Sequence, residues 1–376
     1  MKDLLELREE IDGIDSQIVE LYEKRMQISE QVAQYKIENH RPVFDKEREL
    51  SKLEKLSAMA HSPFTKHGVT ELFEQIMAMS RKKQYQLLTA NGLAEKPDFM
   101  PVDSLDFENA RIVFQGVEGA YSQQAMKEYF GEKCDGYNVD TWRDAMEAIK
   151  NGEADYAVLP IENSSAGIVS ENYDLLVEYD NYIVGEQIIR IDHALLGHPD
   201  ATLSDIEVVY SHPQALMQCS AYLEEHREWE KISLKNTALS AKKVSDDGKK
   251  NQAAIASKVT AEIYGLQVLQ DAIQDNKSNS TRFIIVTGKP VYSKEARKIS
   301  ICFEIPHESG SLYHMLSHFI YNGINMTNIQ SRPIQGRNWE YRFFIDFEGT
   351  FEDTAVQNAL RGLSEETTSL KILGTY

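Results

Sequence analysis

Cysteine is scarce: Cys134, Cys219 and Cys302 are the only three in 376 residues. They form no CxxC pair and no Cys/His cluster, so neither a disulfide framework nor a zinc site is indicated, and a reducing, cytoplasmic setting is expected. Positive charge is also short. The 40 Lys and Arg against 59 Asp and Glu leave a net charge of −19, which argues against nucleic acid or an anionic membrane as the main partner. A locally basic pocket for a small anion remains compatible with that balance. No apolar run is long enough to span a bilayer, and residues 1–4 open a charged helix rather than a secretion signal. Nucleotide fingerprints are missing: Gly116 and Gly119 lack the dinucleotide spacing, no Walker lysine occurs, and there is no Gly-x-Ser-x-Gly elbow. His193, His198 and His212 lack metal-ligand spacing and read as surface or loop residues. No metal and no cofactor are expected, and the length suits two or three domains.

What is present begins with a seam. Leu4, Leu7, Ile11, Ile14, Ile18, Leu21, Arg25, Ile28, Val32 and Tyr35 step alternately by three and four, the 3.5-residue period of a coiled coil. One long helix is expected up to Pro42, which blocks continuation. Two further helices follow. One starts near the N-cap Asp45 with Leu50, Leu53 and Leu56. The other starts near Thr65 with Val69, Leu72, Phe73, Ile76, Ser80, Gln84 and Leu87 on one face. A helix of roughly 50 Å cannot bury its seam within a 90-residue monomer, so a second copy is expected. Arg25 in that seam either sets register or serves a ligand, and Arg8, Lys36 and Arg48 add cations near it. Arg8 lies about 25 Å from Arg25 along the helix, too far to share one small ligand. In an antiparallel dimer, Arg8 of one subunit would close the pocket around Arg25 and Lys36 of the other. Two such sites per dimer would suit a dicarboxylate.

Residues 7–12, the Lys24-Arg25 pair, Lys36, residues 40–43 and residues 45–49 resemble the all-α class of chorismate mutases. That resemblance implies a substrate site made of Arg8 (in trans), Arg25, Lys36, Asp45, Arg48, Glu49, Ser80 and Gln84. It also implies a Claisen rearrangement of chorismate to prephenate that uses neither nucleophile nor cofactor. The protein holds the chair-like conformer and stabilises charge on the breaking ether oxygen. Arg8 and Arg25 suit the carboxylates as forks, Lys36 and Gln84 the ether oxygen, and Glu49 the ring hydroxyl.

Residues 91–110, with Asn91-Gly92, Pro97, Pro101 and the acidic run 103–108, read as a surface connector. From 111 to 290, strands and helices alternate, which indicates an α/β class. Polar turns recur at strand junctions: 116–122 after a strand at 111–115, 160–167 after a strand at 154–159, and 211–214 after a strand at 208–210, with Gln218 one turn on. Thr281-Arg282 opens the apolar strand 283–286, as expected if that strand crosses between lobes. Residues 116–122, 160–169, 211–216 and 276–286 resemble prephenate dehydratases. The resemblance implies a two-lobed fold like a periplasmic binding protein, an essential Thr281, and substrate contacts at Asn163 and Gln218, with Ser164 nearby. Arg282 either binds a carboxylate or forms a structural ion pair.

Residues 291–376 show the order βαββαβ of a ferredoxin-like α+β unit: strands at 299–305, 325–334, 341–347 and 370–373, and helices at 309–321 and 351–363. Gly310-Ser311-Leu312 and Gln330-Ser331-Arg332-Pro333 resemble the phenylalanine-binding motifs of ACT domains, with Ser311 for Ala and Gln330 for Glu. The second departure removes a charge near an amino-acid ligand. The whole chain thus resembles the bifunctional chorismate mutase/prephenate dehydratase family of phenylalanine synthesis. That implies domains at 1–90, 111–290 and 291–376, a homo-oligomer (dimer or tetramer), and phenylalanine as effector. Two alternatives stay open: a non-catalytic, ligand-responsive binding protein, and a dehydratase with an inactive mutase arm.

Overall fold

In the computed structural model, which describes residues 3–93 and 97–376, Asp3 caps a 35-residue helix, α1 (Leu4–Glu38). The Asp3 side chain accepts from the Glu6 N–H, and Glu6 accepts from the Asp3 N–H, which satisfies two of the free donors of a helix start. Met1 and Lys2, at the head of the expected helix, and Ala94, Glu95 and Lys96, in the expected connector, lie outside the described residues. The seam is uncovered. Leu7, Ile11, Ile14 and Ile18 are 44–56% exposed, and Ala33 is the one buried residue of α1. Fully burying such a side chain contributes about 1.5–3 kcal/mol, so this face favours a covering partner.

The chain divides into two compact units. One is Met1–Asp98 with Arg297–Ile372, and the other is Phe99–Ala296 with Leu373–Tyr376. The first unit thus joins the helical segment to most of the C-terminal one. Its second helix, α2 (Lys46–Ala58), starts at Asp45, whose carboxylate accepts from the Arg48 N–H at 3.1 Å. Its third, α3 (Pro63–Ala90), starts two residues before the expected Thr65. Ser62 is the cap, Pro63 follows at the position where a missing N–H costs nothing, and Thr65 closes a capping box. The C-terminal half of α3 buries residues all round, Arg81, Lys82 and Tyr85 among them. The reason is a second neighbour: Arg81 pairs with Glu366 at 2.8 Å, Lys82 donates to Ser317 at 2.8 Å, and Tyr85 donates to Glu365 at 3.2 Å.

Those partners belong to the expected strand–helix–strand–strand–helix–strand segment. Its strands are Lys298–Glu304, Met326–Pro333, Tyr341–Glu348 and Ser369–Thr375, and its helices Ser311–Tyr321 and Thr354–Glu366. Tyr341–Glu348 runs antiparallel between Met326–Pro333 and Lys298–Glu304.

The second unit holds two α/β lobes. In one sheet the order is Asp135–Val139, Arg111–Gln115, Tyr156–Asn163, Ser280–Thr287, Tyr182–Arg190. In the other it is Gln267–Gln270, Ala194–Gly197, Gln252–Ala256, Val208–Ser211, Glu230–Ser233. The chain crosses between them twice, at residues 191–193 and 271–279. The crossings run side by side: Ile191 N–H donates to Asn279 O at 2.9 Å and Ile273 N–H to His193 O at 3.0 Å.

Two expectations need correction. The connector 91–110 contains a strand, Met100–Val102, paired in parallel with Val291–Ser293. Its Phe107 packs edge-on against Tyr129, Phe130 and Tyr156 at 4.8–5.7 Å between ring centroids. A three-residue strand has no period to detect, and its partner lies at the far end of the unit. The strand expected at 154–159 runs on through Pro160 to Asn163. A register shift opposite, between Arg282 and Phe283, accommodates a proline that cannot donate to a ladder.

Candidate functional site

The two lobes enclose a cavity of about 500 Å³. One wall comes from the turn ahead of a helix, α4 (Tyr121–Phe130), whose N-cap Ala120 supplies no side-chain bond. The N–H groups there are open to an anion. Gly116 has φ +128° and Gly119 φ +85°, conformations that favour glycine. From the other lobe come Gln218, Lys235, Asn236 and Thr237. Lys235 is the one Lys or Arg among the described lining residues; its Nζ lies 3.4 Å from Asp140 O.

Thr281 and Asn163 meet in the floor because the strands Ser280–Thr287 and Tyr156–Asn163 pair them directly. Asn163 Nδ2 donates to Thr281 Oγ1 at 2.9 Å. Asn163 Oδ1 accepts from the Ser165 and Ala166 N–H groups at 3.0 and 2.9 Å, so the amide is set with its nitrogen toward Thr281. With a lone pair of Oγ1 engaged, the Thr281 hydroxyl is left to donate. Gln218 Nε2 stands 3.5 Å from Asn163 Oδ1.

Strand alternation separates the neighbours of Thr281. Phe283 lines the cavity. Arg282, between them, points away and pairs with Glu186 at 2.8 Å and with the Tyr376 hydroxyl at 2.7 Å, which answers to the ion-pair alternative. Ser164 is exposed and ties its loop to the strand start, its Oγ accepting from the Ser280 N–H at 3.0 Å.

The three histidines differ. His198 caps a turn, its Nδ1 accepting from the Asp200 N–H at 3.2 Å. His212 is half-buried, lines the cavity and caps Pro213–Gln218; burial lowers its pKa. His193 lies in a loop, as expected, but it is 2% exposed and also lines the cavity, so it is not a surface residue. Nothing local signals it, because its partners Tyr121 and Gln218 are remote in sequence. Burial lowers its pKa, opposed by the Gln218 hydrogen bond and the Asp192 charge.

In the helical segment, Arg25 Nη1 donates to Ser80 Oγ at 2.5 Å and lies 3.4 Å from Ile76 O. Burial lowers the Arg25 pKa against the pull of Glu49. Gln84 Nε2 donates to Ser80 O at 3.2 Å, while its Oε1 is buried without a partner. Lys36 Nζ donates to Val43 O at 2.5 Å. Burial lowers its pKa, and Asp45 and Glu49 are among the charges that oppose this. Arg25, Lys36, Asp45, Glu49, Ser80 and Gln84 therefore share one region. Arg48 is exposed beside it, and Arg8 is exposed near the far end of α1. Glu49 is engaged by the buried Arg81, a cation that the sequence reading did not single out. Burial acts to lower the Arg81 pKa, but the Glu366 and Glu49 charges outweigh it and the net shift is upward.

Gly310, in the left-handed region at φ +83°, caps Ser311–Tyr321. With Ser311 and Leu312 it lines a cavity of about 230 Å³. Gln330, Ser331 and Arg332 lie on the strand Met326–Pro333, with Gln330 Nε2 at 3.2 Å from Asn328 Oδ1.

The comparisons match this layout. A chorismate mutase type II family profile covers residues 7–85 and a prephenate dehydratase profile residues 112–291. A bifunctional chorismate mutase/prephenate dehydratase of Escherichia coli K12 is 33% identical over 380 aligned residues, 99% of this chain and 96% of that protein. A prephenate dehydratase from Arthrobacter aurescens, solved in complex with L-Phe, is 30% identical with a TM-score of 0.66, covering 71% of this chain and 89% of that one. GqqA, described as a novel type of quorum quenching acylase, is 32% identical with a TM-score of 0.65, covering 71% and 97%.

Proposed function

We infer that this chain, which belongs to the bifunctional chorismate mutase/prephenate dehydratase family, runs its two reactions in two separate sites. It is a chorismate mutase, an isomerase, and a prephenate dehydratase, a lyase, of phenylalanine biosynthesis.

The mutase site is built around Arg25, Lys36, Ser80 and Gln84, with Asp45, Arg48 and Glu49 at its edge and Arg8 supplied by a second copy. The exposed seam of α1 supports that partner, and an antiparallel pairing brings Arg8 to the Arg25 end of the other helix. The rearrangement moves no proton to or from the protein. Catalysis there consists of holding the reactive conformer and stabilising charge on the ether oxygen.

The dehydratase reaction takes the prephenate dianion and one proton to phenylpyruvate, carbon dioxide and water. The C–C bond to the ring carboxylate breaks, its electron pair enters the ring, and the C–O bond to the ring hydroxyl breaks as the ring becomes aromatic. Thr281 donates to the departing oxygen. The observation that carries this assignment is the Asn163 Nδ2 bond to Thr281 Oγ1 at 2.9 Å inside the cavity. It points the Thr281 proton at the substrate and stabilises negative charge on Oγ1 as the proton leaves. A threonine is too weak an acid to act alone, so the transfer is concerted with return of a proton from water. Lys235 and the open start of α4 face the substrate carboxylates.

The C-terminal segment is an ACT-type, ferredoxin-like regulatory domain that binds phenylalanine, the product's amino acid, near Gly310, Ser311 and Leu312. Its motif residues Gln330, Ser331 and Arg332 are presented on an edge strand. Complex formation of the Arthrobacter aurescens dehydratase with L-Phe supports that effector. The protein works as a homodimer or larger oligomer in the cytoplasm. Among the described residues no helix is long and apolar enough to cross a membrane.

The test supplies chorismate alone and follows chorismate, prephenate and phenylpyruvate with time, with and without phenylalanine. Wild type forms phenylpyruvate, and phenylalanine slows it. Thr281→Ala accumulates prephenate at the wild-type mutase rate with no phenylpyruvate. Phenylpyruvate formation by that variant would remove Thr281 from the mechanism.

A further inference from the structure

His193 sits on the first crossing between the lobes, and the chemistry assigned to Thr281 makes no use of it. Its ring is 2% exposed and forms part of the cavity wall. Its main chain is clamped on both sides: the N–H donates to Gln274 Oε1 at 3.0 Å, and the carbonyl accepts from the Ile273 N–H at 3.0 Å. Nε2 lies 3.1 Å from Gln218 Oε1, and Nδ1 lies 3.2 Å from the Tyr121 hydroxyl.

The surrounding donors and acceptors set the direction of each bond. Asn163 Oδ1 already accepts two backbone N–H groups. Gln218 approaches that oxygen at 3.5 Å, which suits its NH2 end and not its carbonyl. The Gln218 oxygen therefore faces His193, and the imidazole must donate from Nε2. In the neutral ring Nδ1 then carries a lone pair, and the Tyr121 O–H shares its one hydrogen between the Asp192 carbonyl at 2.9 Å and Nδ1 at 3.2 Å. Gln218 Nε2 carries two hydrogens. One faces Asn163, and Gln218 lines the cavity, where the other meets the substrate.

We propose that His193 is a positioning residue of the dehydratase site: its Nε2–H pins the Gln218 carbonyl and so keeps the Gln218 NH2 turned to the anionic substrate. Released from His193, the amide turns over readily and presents a lone pair to a carboxylate or hydroxyl oxygen. Protonation of the ring leaves Nε2 a donor, so the pinning does not depend on pH. This inference rests on placing prephenate in the Thr281 cavity.

The experiment measures prephenate turnover in the full-length protein for His193→Leu, His193→Gln and His193→Asn, with thermal melting as the check on folding. A glutamine amide places a donor near the Nε2 position, whereas asparagine places it near Nδ1. His193→Leu and His193→Asn are expected to raise KM about tenfold with kcat within about threefold, the signature of lost ground-state binding. His193→Gln is expected to stay near wild type. In a Gln218→Leu background, His193→Leu is expected to add nothing further. A folded His193→Leu with unchanged KM, or effects of the two substitutions that simply add, overturns the proposal. If His193→Leu does not fold, equal KM values for the glutamine and asparagine variants overturn it. Thr281→Ala run alongside separates the cases: activity retained there removes the site itself, whereas activity lost there with His193 variants unaffected removes only this inference.

Discussion

The two sites use opposite means. The helical site is cationic and unfinished. Arg25 and Lys36 stand half-buried with their hydrogen bonds spent on Ser80, Ile76 and Val43, Gln84 Oε1 has no partner, and the apolar seam beside them is bare. The lobed site draws its hydrogen-bonded groups from one chain, and Asp140 and Glu171 line its cavity beside them. Thr281, Asn163, Gln218 and His193 form a continuous run of hydrogen bonds among uncharged groups, with Lys235 the one cation of the described lining. The difference follows from the chemistry. An intramolecular rearrangement asks mainly for a rigid cationic mould around two carboxylates, and a second subunit can supply part of a mould. Loss of hydroxide asks for one proton aimed along one line, and that favours dipoles locked within a single chain.

The contrast breaks most visibly in a mixing experiment. Arg8→Ala and Arg25→Ala are each expected to lower mutase kcat/KM by about 100-fold or more, the usual cost of removing a charge aimed at the transition state, and to leave prephenate turnover unchanged. If Arg8 acts in trans, each heterodimer of the two variants has one intact site and one that lacks both arginines. Equal mixing after dissociation makes about half the dimers mixed, so about a quarter of wild-type mutase activity returns. No recovery would place Arg8 in its own subunit's chemistry or outside the site altogether. Thr281→Ala and Gln218→Leu, mixed likewise, are expected to recover no dehydratase activity.

A middle-sized effect concerns the charged seam between α3 and the C-terminal helix Thr354–Glu366. Burial alone would raise the Glu366 carboxyl, but its hydrogen bond to His318 and the Arg81 charge outweigh that and hold it at about 2 rather than 4.5. A depressed carboxylate adds stability that is complete above its unfolded value and is lost as pH falls toward its folded value. The amount here is about 3 kcal/mol. Urea unfolding of the wild type is therefore expected to weaken between pH 5 and pH 2. Glu366→Gln is expected to be weaker by a similar amount at pH 7 and to converge with wild type in acid. Because Arg81 also holds Glu49, the same variant is expected to change mutase KM, and an unchanged KM would confine the pair to stability.

How much of this was readable in the residues depends on distance along the chain. The α1 seam was legible because its 3.5-residue period survives one arginine, and Asp45 because a cap sits within three residues of the N–H it serves. The junction at Thr281 was legible as a polar run ending in an apolar strand. Arg81 was not, since its partner Glu366 lies 285 positions on and α3 carries other cations of the same appearance. His193 was not, because a lone histidine carries no spacing and only the lobe crossing brings Tyr121 and Gln218 to it. The short strand Met100–Val102, just ahead of the acidic run, was lost for the same reason.

Arg282 is the smallest test and the sharpest boundary of the lobed site. It follows Thr281 directly, so sequence proximity alone makes it a candidate for a substrate carboxylate. A strand turns consecutive side chains to opposite faces, and Arg282 lies on the face away from the cavity, 15% exposed in its side chain and paired with Glu186. Arg282→Met keeps most of the volume and removes the fork. It leaves Glu186 without that partner, which is expected to cost about 1–3 kcal/mol of stability, read as a lower urea midpoint. Prephenate turnover is expected to fall no more than about threefold, because the register that brings Thr281 to Asn163 rests on main-chain pairing rather than on the guanidinium. If turnover instead falls as far as in Thr281→Ala while the midpoint stays put, Arg282 reaches the substrate. The strand must then turn that side chain into the cavity when prephenate is bound, and the dehydratase site would gain a second cation beside Lys235.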